Sequence, residues 1–147
     1  MAIARLLKSI PRLFTLGAHE TVNASEVKGL VSSVDTITAA RYDTLENPRG
    51  TDHVVATGKK LYITEITLAH AIAAGTEVRV EIGYGDDGVG NSVAAPTANK
   101  VVWGAGSLVA NGNPIQMKCL AIIPAGKYPY IRAITSGFGV SCHGSEF

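Results

Sequence analysis

The glycine-rich segment at residues 83–88 is the stretch whose residue types and spacing come closest to a known chemistry. It reads G-Y-G-D-D-G, follows an alternating apolar run, and fits the dinucleotide-binding pattern G-x-G-x-x-G. That pattern holds a pyrophosphate only where a helix begins directly after it and points its amides at the phosphates. Here V-G-N-S and then Pro96 follow, and Asp86 and Asp87 stand where phosphates would lie. The segment is predicted to be a loop, and no cofactor is expected.

Candidate metal ligands are present, but their spacing is unsuited to a metal site. Asp86, Asp87 and Asn91 could offer oxygens to calcium, yet they match no calcium-loop pattern, so a solvated turn is predicted. A cupin-like metal enzyme would need clustered His and Glu, and only His53 and His70 are candidates. The four histidines are scattered along the chain: His19, His53, His70 and His143. No metal is expected.

The two cysteines, Cys119 and Cys142, both fall in apolar, strand-like stretches. Burial as small apolar side chains is predicted, while a disulfide between them and a Cys/His site assembled across strands remain open. His143 adjoins Cys142, but neighbours in a strand face opposite sides, so the two cannot form a local nucleophile–base pair. Since no catalytic constellation is recognisable, the chain is predicted not to be an enzyme.

The composition and net charge of the chain indicate which kinds of partner it can have. The chain has 147 residues, about one domain, with 46% hydrophobic and 17% charged residues. A formal net charge of +1 argues against a nucleic-acid partner, and no apolar run is long enough to span a membrane. A surface this poor in charge is typical of a subunit that buries part of itself against neighbours.

Residues 1–14 stand apart in composition. Their only charges are Arg5, Lys8 and Arg12, and Pro11 would break or kink a helix near its end. Such a segment could lie on a membrane surface or dock on a partner, or it could be an arm packed on its own domain or on a neighbouring subunit. We favour the arm. The predicted partner-binding residues are apolar and recur at roughly helical spacing: Ile3, Leu6, Leu7, Ile10, Leu13 and Phe14.

One phrase occurs twice in the chain. Residues 56–67 read A-T-G-K-K-L-Y-I-T-E-I-T, and residues 124–135 read P-A-G-K-Y-P-Y-I-R-A-I-T. In each copy, a glycine turn leads into a run of β-branched and aromatic residues, which indicates a strand. The repeat predicts two like strands in the two halves of an antiparallel sandwich.

The rest of the chain from residue 51 also has a β pattern. Residues 77–82, E-V-R-V-E-I, alternate charged and apolar types without error, and a slip in parity between Ile63 and Ile66 predicts a β-bulge near Thr64 and Glu65. The predicted strands are 53–56, 61–71, 77–82, 100–103, 115–123, 130–135 and 140–143. Residues 37–45 could be a strand or an extended arm, and N-P-R-G at 47–50 is a turn or linker. We predict an all-β antiparallel sandwich or jelly-roll-like domain at 51–147, preceded by an N-terminal arm and linker at 1–50.

The second copy of the repeat resembles a pattern of small tailed-bacteriophage structural proteins. In both, a P-A-G-K turn (residues 124–127) leads into a strand, here Y-I-R at 130–132, and a short strand, here G-V-S-C-H-G at 139–144, follows near the end. The first copy, T-G-K-K-L-Y-I at 57–63, is similar to the opening β phrase of that family. The resemblance covers about residues 54 to 147.

This resemblance implies a jelly-roll-like virion protein, often trimeric. The function expected is that of a capsid decoration or cement protein, which stabilises the shell through contacts between subunits. Its expected partners are further copies of itself, as a homotrimer, and the major capsid or another virion protein. Its expected location is the virion, on the capsid surface rather than the tail. The alternative is a tail or fibre protein, or a sandwich that binds a host carbohydrate or receptor through loops such as residues 83–92.

Overall fold

The computed structural model describes residues 26–48, 50–69, 77–109, 114–135 and 138–147. Within these ranges the chain is all-β, and every strand pairing is antiparallel. The strands are β1 (Glu26–Ser32), β2 (Tyr42–Asn47), β3 (Thr51–Asp52), β4 (Lys60–Ala69), β5 (Glu77–Gly85), β6 (Asn91–Ser92), β7 (Lys100–Val109), β8 (Ile115–Pro124), β9 (Tyr128–Ala133) and β10 (Gly139–Glu146).

The eight longer strands have the connectivity of a jelly roll. Their hydrogen-bonded order is β7-β5-β9-β2-β1-β10-β4-β8, and the two short strands β3 and β6 both pair with β2. The order divides into two four-stranded layers, β1-β10-β4-β8 and β2-β9-β5-β7, each of which combines strands from early and late in the chain. The layers join through β2, which pairs with β9 at its start and with β1 at its end. The outer strands β7 and β8 lie side by side, so the sheet is nearly closed into a barrel. The predicted antiparallel jelly-roll-like fold is confirmed.

Alternation along the strands builds the core between the layers. In β5, Val78, Val80 and Ile82 are fully buried and the residues between them are more exposed, as the sequence predicts. Burying a valine or isoleucine side chain contributes roughly 1.5–3 kcal/mol relative to leaving it exposed, so each residue of this inward row stabilises the fold. The opposite layer contributes Leu30, Leu61, Ile63, Ile66, Leu68, Ala121, Ile123, Val140 and Cys142.

The two copies of the repeat occupy different layers, as predicted, and their turns touch. Gly58 and Gly126 both have positive φ, at 76° and 72°, so the glycine in each copy allows a left-handed turn. The first copy continues into β4 and the second into β9. Val55, just before the first turn, accepts a backbone hydrogen bond from Gly126 N at 2.8 Å and donates one to Lys127 O at 3.1 Å. The two turns are therefore joined at one end of the sandwich.

The predicted bulge in β4 is present. The register of β4 with β8 shifts between Ile63 and Glu65, and that of β10 with β4 shifts between His143 and Gly144. A Cβ on Gly144 would collide with the carbonyl oxygen of Tyr62, so β10 needs glycine at this irregularity. Because of the shift, Ile63 and Ile66 both face the core although they are three residues apart.

Two sequence predictions need correction. The β domain does not begin at residue 51, because β1 and β2 precede that point and lie in the middle of the hydrogen-bonded order. The expected strand at 53–56 is absent from the described residues, and the short pairing lies just before it at Thr51 and Asp52. In its place, His53 and Val55 turn inward and are buried.

Candidate interaction surface

The glycine-rich segment singled out by the sequence is used for close packing. Its first residues end β5, no helix follows it within residues 86–99, and this loop folds back over the outer side of the β9-β5 layer. A Cβ on Gly83 would lie 2.5 Å from the carbonyl oxygen of Lys100 and even closer to the Tyr130 ring, and one on Gly85 would collide with Pro96. Tyr130 is fully buried although it faces away from the core. The prediction of a loop is confirmed for residues 86–88, whereas Gly83, Tyr84 and Gly85 belong to β5.

The acidic residues of this loop are engaged by the protein itself. Asp86 forms an ion pair with Lys127. Asp87 accepts two hydrogen bonds from Thr97, from the amide at 2.7 Å and from the hydroxyl at 2.9 Å. Among the described residues, no group of three or more His, Cys, Asp or Glu is placed to hold a metal ion. Asp86 therefore holds the loop against the turn before β9, and Asp87 holds the start of the loop to Thr97 near its end.

A buried polar pair, which the sequence analysis missed, closes one end of the sandwich. His53 Nε2 lies 3.0 Å from Glu146 Oε2, and the two side chains are 4% and 2% exposed. The other carboxylate oxygen of Glu146 accepts the Ala56 amide at 2.9 Å, and the Asn47 amide group lies 3.1 Å from His53 Nδ1. Because the pair is separated by 93 residues, no local pattern in the sequence could have revealed it. It ties the end of β10 to the segment before the first repeat turn.

A second buried carboxylate anchors the start of β2. Asp43 is fully buried and accepts hydrogen bonds from the amide of Ser33, at 2.9 Å, and from its hydroxyl. Burial raises the pKa of this carboxyl, and the hydrogen bonds from Ser33 oppose that rise. The contact fixes the segment after β1 against β2, where the two layers join.

The two cysteines carry free thiols in the structure. Cys142 is 1% exposed, and burial raises the pKa of its thiol, which makes it a poor nucleophile. Cys119 is half-buried and its thiol donates to Ile63 O at 3.6 Å. The predicted burial is thus complete for Cys142 and partial for Cys119. His143 is exposed, so it faces the opposite way from Cys142, as predicted.

An exposed apolar cluster, here called the outer patch, lies on the outside of the β10-β4-β8 sheet and consists of Tyr62, Leu120, Ile122 and Phe147. Leu120, Ile122 and Phe147 are 58%, 41% and 50% exposed. Tyr62 pairs with Ile122 in the β4–β8 register, and its ring meets that of Phe147 edge-on with centroids 5.4 Å apart. Exposed apolar side chains gathered in this way mark interaction surfaces in soluble proteins.

The outer patch lies at the end of the sheet where the described chain begins. Glu26, the first residue of β1, pairs with Glu146 of β10. Phe147 exchanges two backbone hydrogen bonds with Lys60, at 2.8 and 3.0 Å. The segment before Glu26 is joined to β1, which lies two strands from β4, the strand that carries Tyr62.

The partner-binding residues predicted from the sequence lie outside the described residues: Ile3, Leu6, Leu7, Ile10, Leu13 and Phe14. Their role remains a prediction. The described residues contain no helix that is long and apolar enough to cross a membrane.

No family model and no curated protein matches the chain. Among solved structures, it is similar to the Drosophila NLP core, whose crystal structure is described as providing insight into pentamer formation and histone binding. The identity is 15%, and the match covers 84% of this chain and 98% of that chain with a TM-score of 0.38. A likeness of this size carries no argument about function.

Proposed function

We propose that the chain is a non-enzymatic structural protein of a virion, and specifically a capsid decoration or cement protein. The observation that carries the proposal is the jelly-roll strand order, in which strands from both ends of the sequence form each layer. This architecture recurs in capsid proteins, although lectins and cupins use it as well. The resemblance of residues 54–147 to tailed-phage structural proteins favours the virion among these.

The outer patch supports a role in assembly. Three large apolar side chains of one small cluster are between 41% and 58% exposed, and this chain has few charges to keep its surface solvated. Covering such side chains with another protein surface contributes on the order of 1 kcal/mol or more for each of them. Several weak contacts of this kind, repeated around an oligomer and across a shell, hold a lattice together through their combined effect.

The proposed assembly is a homotrimer that attaches to the major capsid protein. In solution it would have a mass three times the 15.3 kDa of one chain. Closed rings of identical subunits are a common way for a small domain to cover its apolar surface.

The test uses purified protein and capsids of its virus assembled without it. Saturable binding and a higher temperature of capsid disruption are expected, since each attached copy adds contacts across subunit boundaries. Absence of binding, or binding with an unchanged disruption temperature, would contradict the proposal. A glycan array with the same protein examines the alternative role, because a host-binding module would give specific carbohydrate hits.

A further inference from the structure

We propose that the outer patch is the docking site for residues 1–14 of a neighbouring copy of the same chain. The inference rests on the proposed function as an assembling structural protein, and it names the surface through which the copies join. It predicts an exchange of arms between subunits, each arm lying on the Tyr62, Leu120, Ile122 and Phe147 side chains of the next.

The chemistry of the two surfaces matches. The outer patch presents an aromatic pair, Tyr62 and Phe147, beside the aliphatic side chains of β8. Residues 2–14 contain six large apolar residues and no acid. At the helical rise of 1.5 Å, residues 3–10, which precede Pro11, would extend roughly 12 Å as a helix, and the patch crosses from β8 to β10, roughly 10 Å. One face of a short helix can therefore cover the whole patch.

The connection is long enough for exchange. Residues 15–25 join the apolar segment to β1, and eleven residues span up to roughly 36–40 Å when extended. The far side of the patch on the same copy, in β8, is only three strands from β1, roughly 14 Å away at the usual strand spacing. The linker therefore has length to spare and reaches beyond its own subunit.

The direction of β1 favours a neighbouring copy over the same one. β1 begins at Glu26, opposite Glu146, the last residue of β10. A segment that continued in the direction of β1 would pass beyond the end of the sheet, so it would have to turn back to lie on the patch of its own copy. The patch of a neighbouring copy placed beyond that end needs no such turn. Because each copy offers one arm and one patch, a head-to-tail exchange that closes after three copies gives the proposed trimer.

The experiment measures the oligomeric mass of the free protein by light scattering across a concentration series, so it does not involve capsids. The full chain is compared with a chain that lacks residues 1–14, with Leu120→Ser/Ile122→Ser, and with Val93→Ser. Val93 is 69% exposed and lies outside the patch, so its variant is the matched control. The expected result is about a tenfold or greater weakening of self-association in the first two variants and none in the control.

A photoreactive residue in place of Ile122 then identifies the segment that lies on the outer patch, in a chain that is otherwise unchanged. When isotopically labelled and unlabelled copies are mixed, cross-links between Ile122 of one copy and residues 1–14 of another are expected. Cross-links only within one chain would overturn the exchange, as would cross-links that avoid residues 1–14, or a full chain that is monomeric at every concentration. None of these measurements uses capsids, so the exchange of arms and the proposed attachment to capsids are tested independently.

Discussion

At the scale of single residues, the loop after β5 packs so closely against the β9-β5 layer that some positions have no room for a side chain. Gly83 is opposite Tyr130 in the β5–β9 register, and the Tyr130 ring lies over the glycine where a side chain would stand. In the motif that resembles a phosphate-binding loop, Gly83 is therefore explained by the space that the Tyr130 ring needs, and Gly85 by the closeness of Pro96.

Gly83→Ala should destabilise the fold by about 2 kcal/mol, because the added methyl would press on both the Tyr130 ring and the Lys100 carbonyl oxygen. Gly104→Ala is the matched control in the adjacent strand β7. A Cβ there would meet its nearest atoms at 3.6 Å, so a change within about 0.5 kcal/mol is expected. Urea unfolding of the two variants gives the comparison. Equal losses in both would show that Tyr130 does not set the requirement at Gly83.

Glu146→Ala should lower the free energy of unfolding by about 3 kcal/mol, because it leaves the buried His53 ring and the Ala56 amide without their acceptor. Glu146→Gln should lose less, since an amide oxygen can still accept one of these bonds. The control is Glu77→Ala, which breaks an ion pair whose side chains are 45% and 50% exposed and should change the stability by less than about 1 kcal/mol. Denaturant unfolding of the three variants measures these losses in the free energy of unfolding. A loss for Glu146→Ala no larger than that for Glu77→Ala would contradict the structural role given to the buried pair.

At the scale of elements, the sequence predicts what depends on neighbours along the chain. The alternation of β5 and the bulge of β4 follow from local parity, and both are present. The place of β1 and β2 in the sheet follows from partners far along the chain, such as β10 and β9, and no linear pattern encodes it. The outer patch was missed for the same reason, since Tyr62, Ile122 and Phe147 come together only through strand pairing.

The repeated turn gives a prediction at this scale. Gly58→Ala and Gly126→Ala should each destabilise the fold by about 1–2 kcal/mol, because both positions have positive φ that a Cβ disfavours, although neither has an atom within 4 Å of that Cβ. Gly50→Ala, where the surroundings are equally open and φ is not positive, should have little effect. Thermal or urea unfolding of the three variants is the measurement. If Gly58 and Gly126 tolerate alanine as well as Gly50 does, the two turns do not depend on glycine conformation.

At the scale of the whole molecule, the jelly roll joins both ends of the described chain in one layer. β10 lies between β1 and β4, and its last residue, Glu146, contacts His53. Phe147, which follows β10, is hydrogen-bonded to Lys60. We therefore expect the layers to close only when β1, β4 and β10 are all present. On this expectation, the folding unit extends across the turn at 47–50 and includes β1 and β2.

Two truncations separate the arm from the folded unit. Removal of residues 1–20 leaves every described strand in place, so the domain should still unfold cooperatively while oligomer formation and capsid attachment weaken. Removal of residues 1–50 also deletes β1 and β2, which exposes the edges of β10 and β9 and removes the buried Leu30, Ile37 and Leu45 from the core. Losing even one such side chain typically costs about 2–5 kcal/mol, and the loss of three approaches the whole stability of a domain of this size. The shorter chain should therefore be unfolded or aggregated by circular dichroism and light scattering. A folded chain of residues 51–147 would mean that the sheet closes without β1 and β2, and an unfolded chain of residues 21–147 would place the arm within the core.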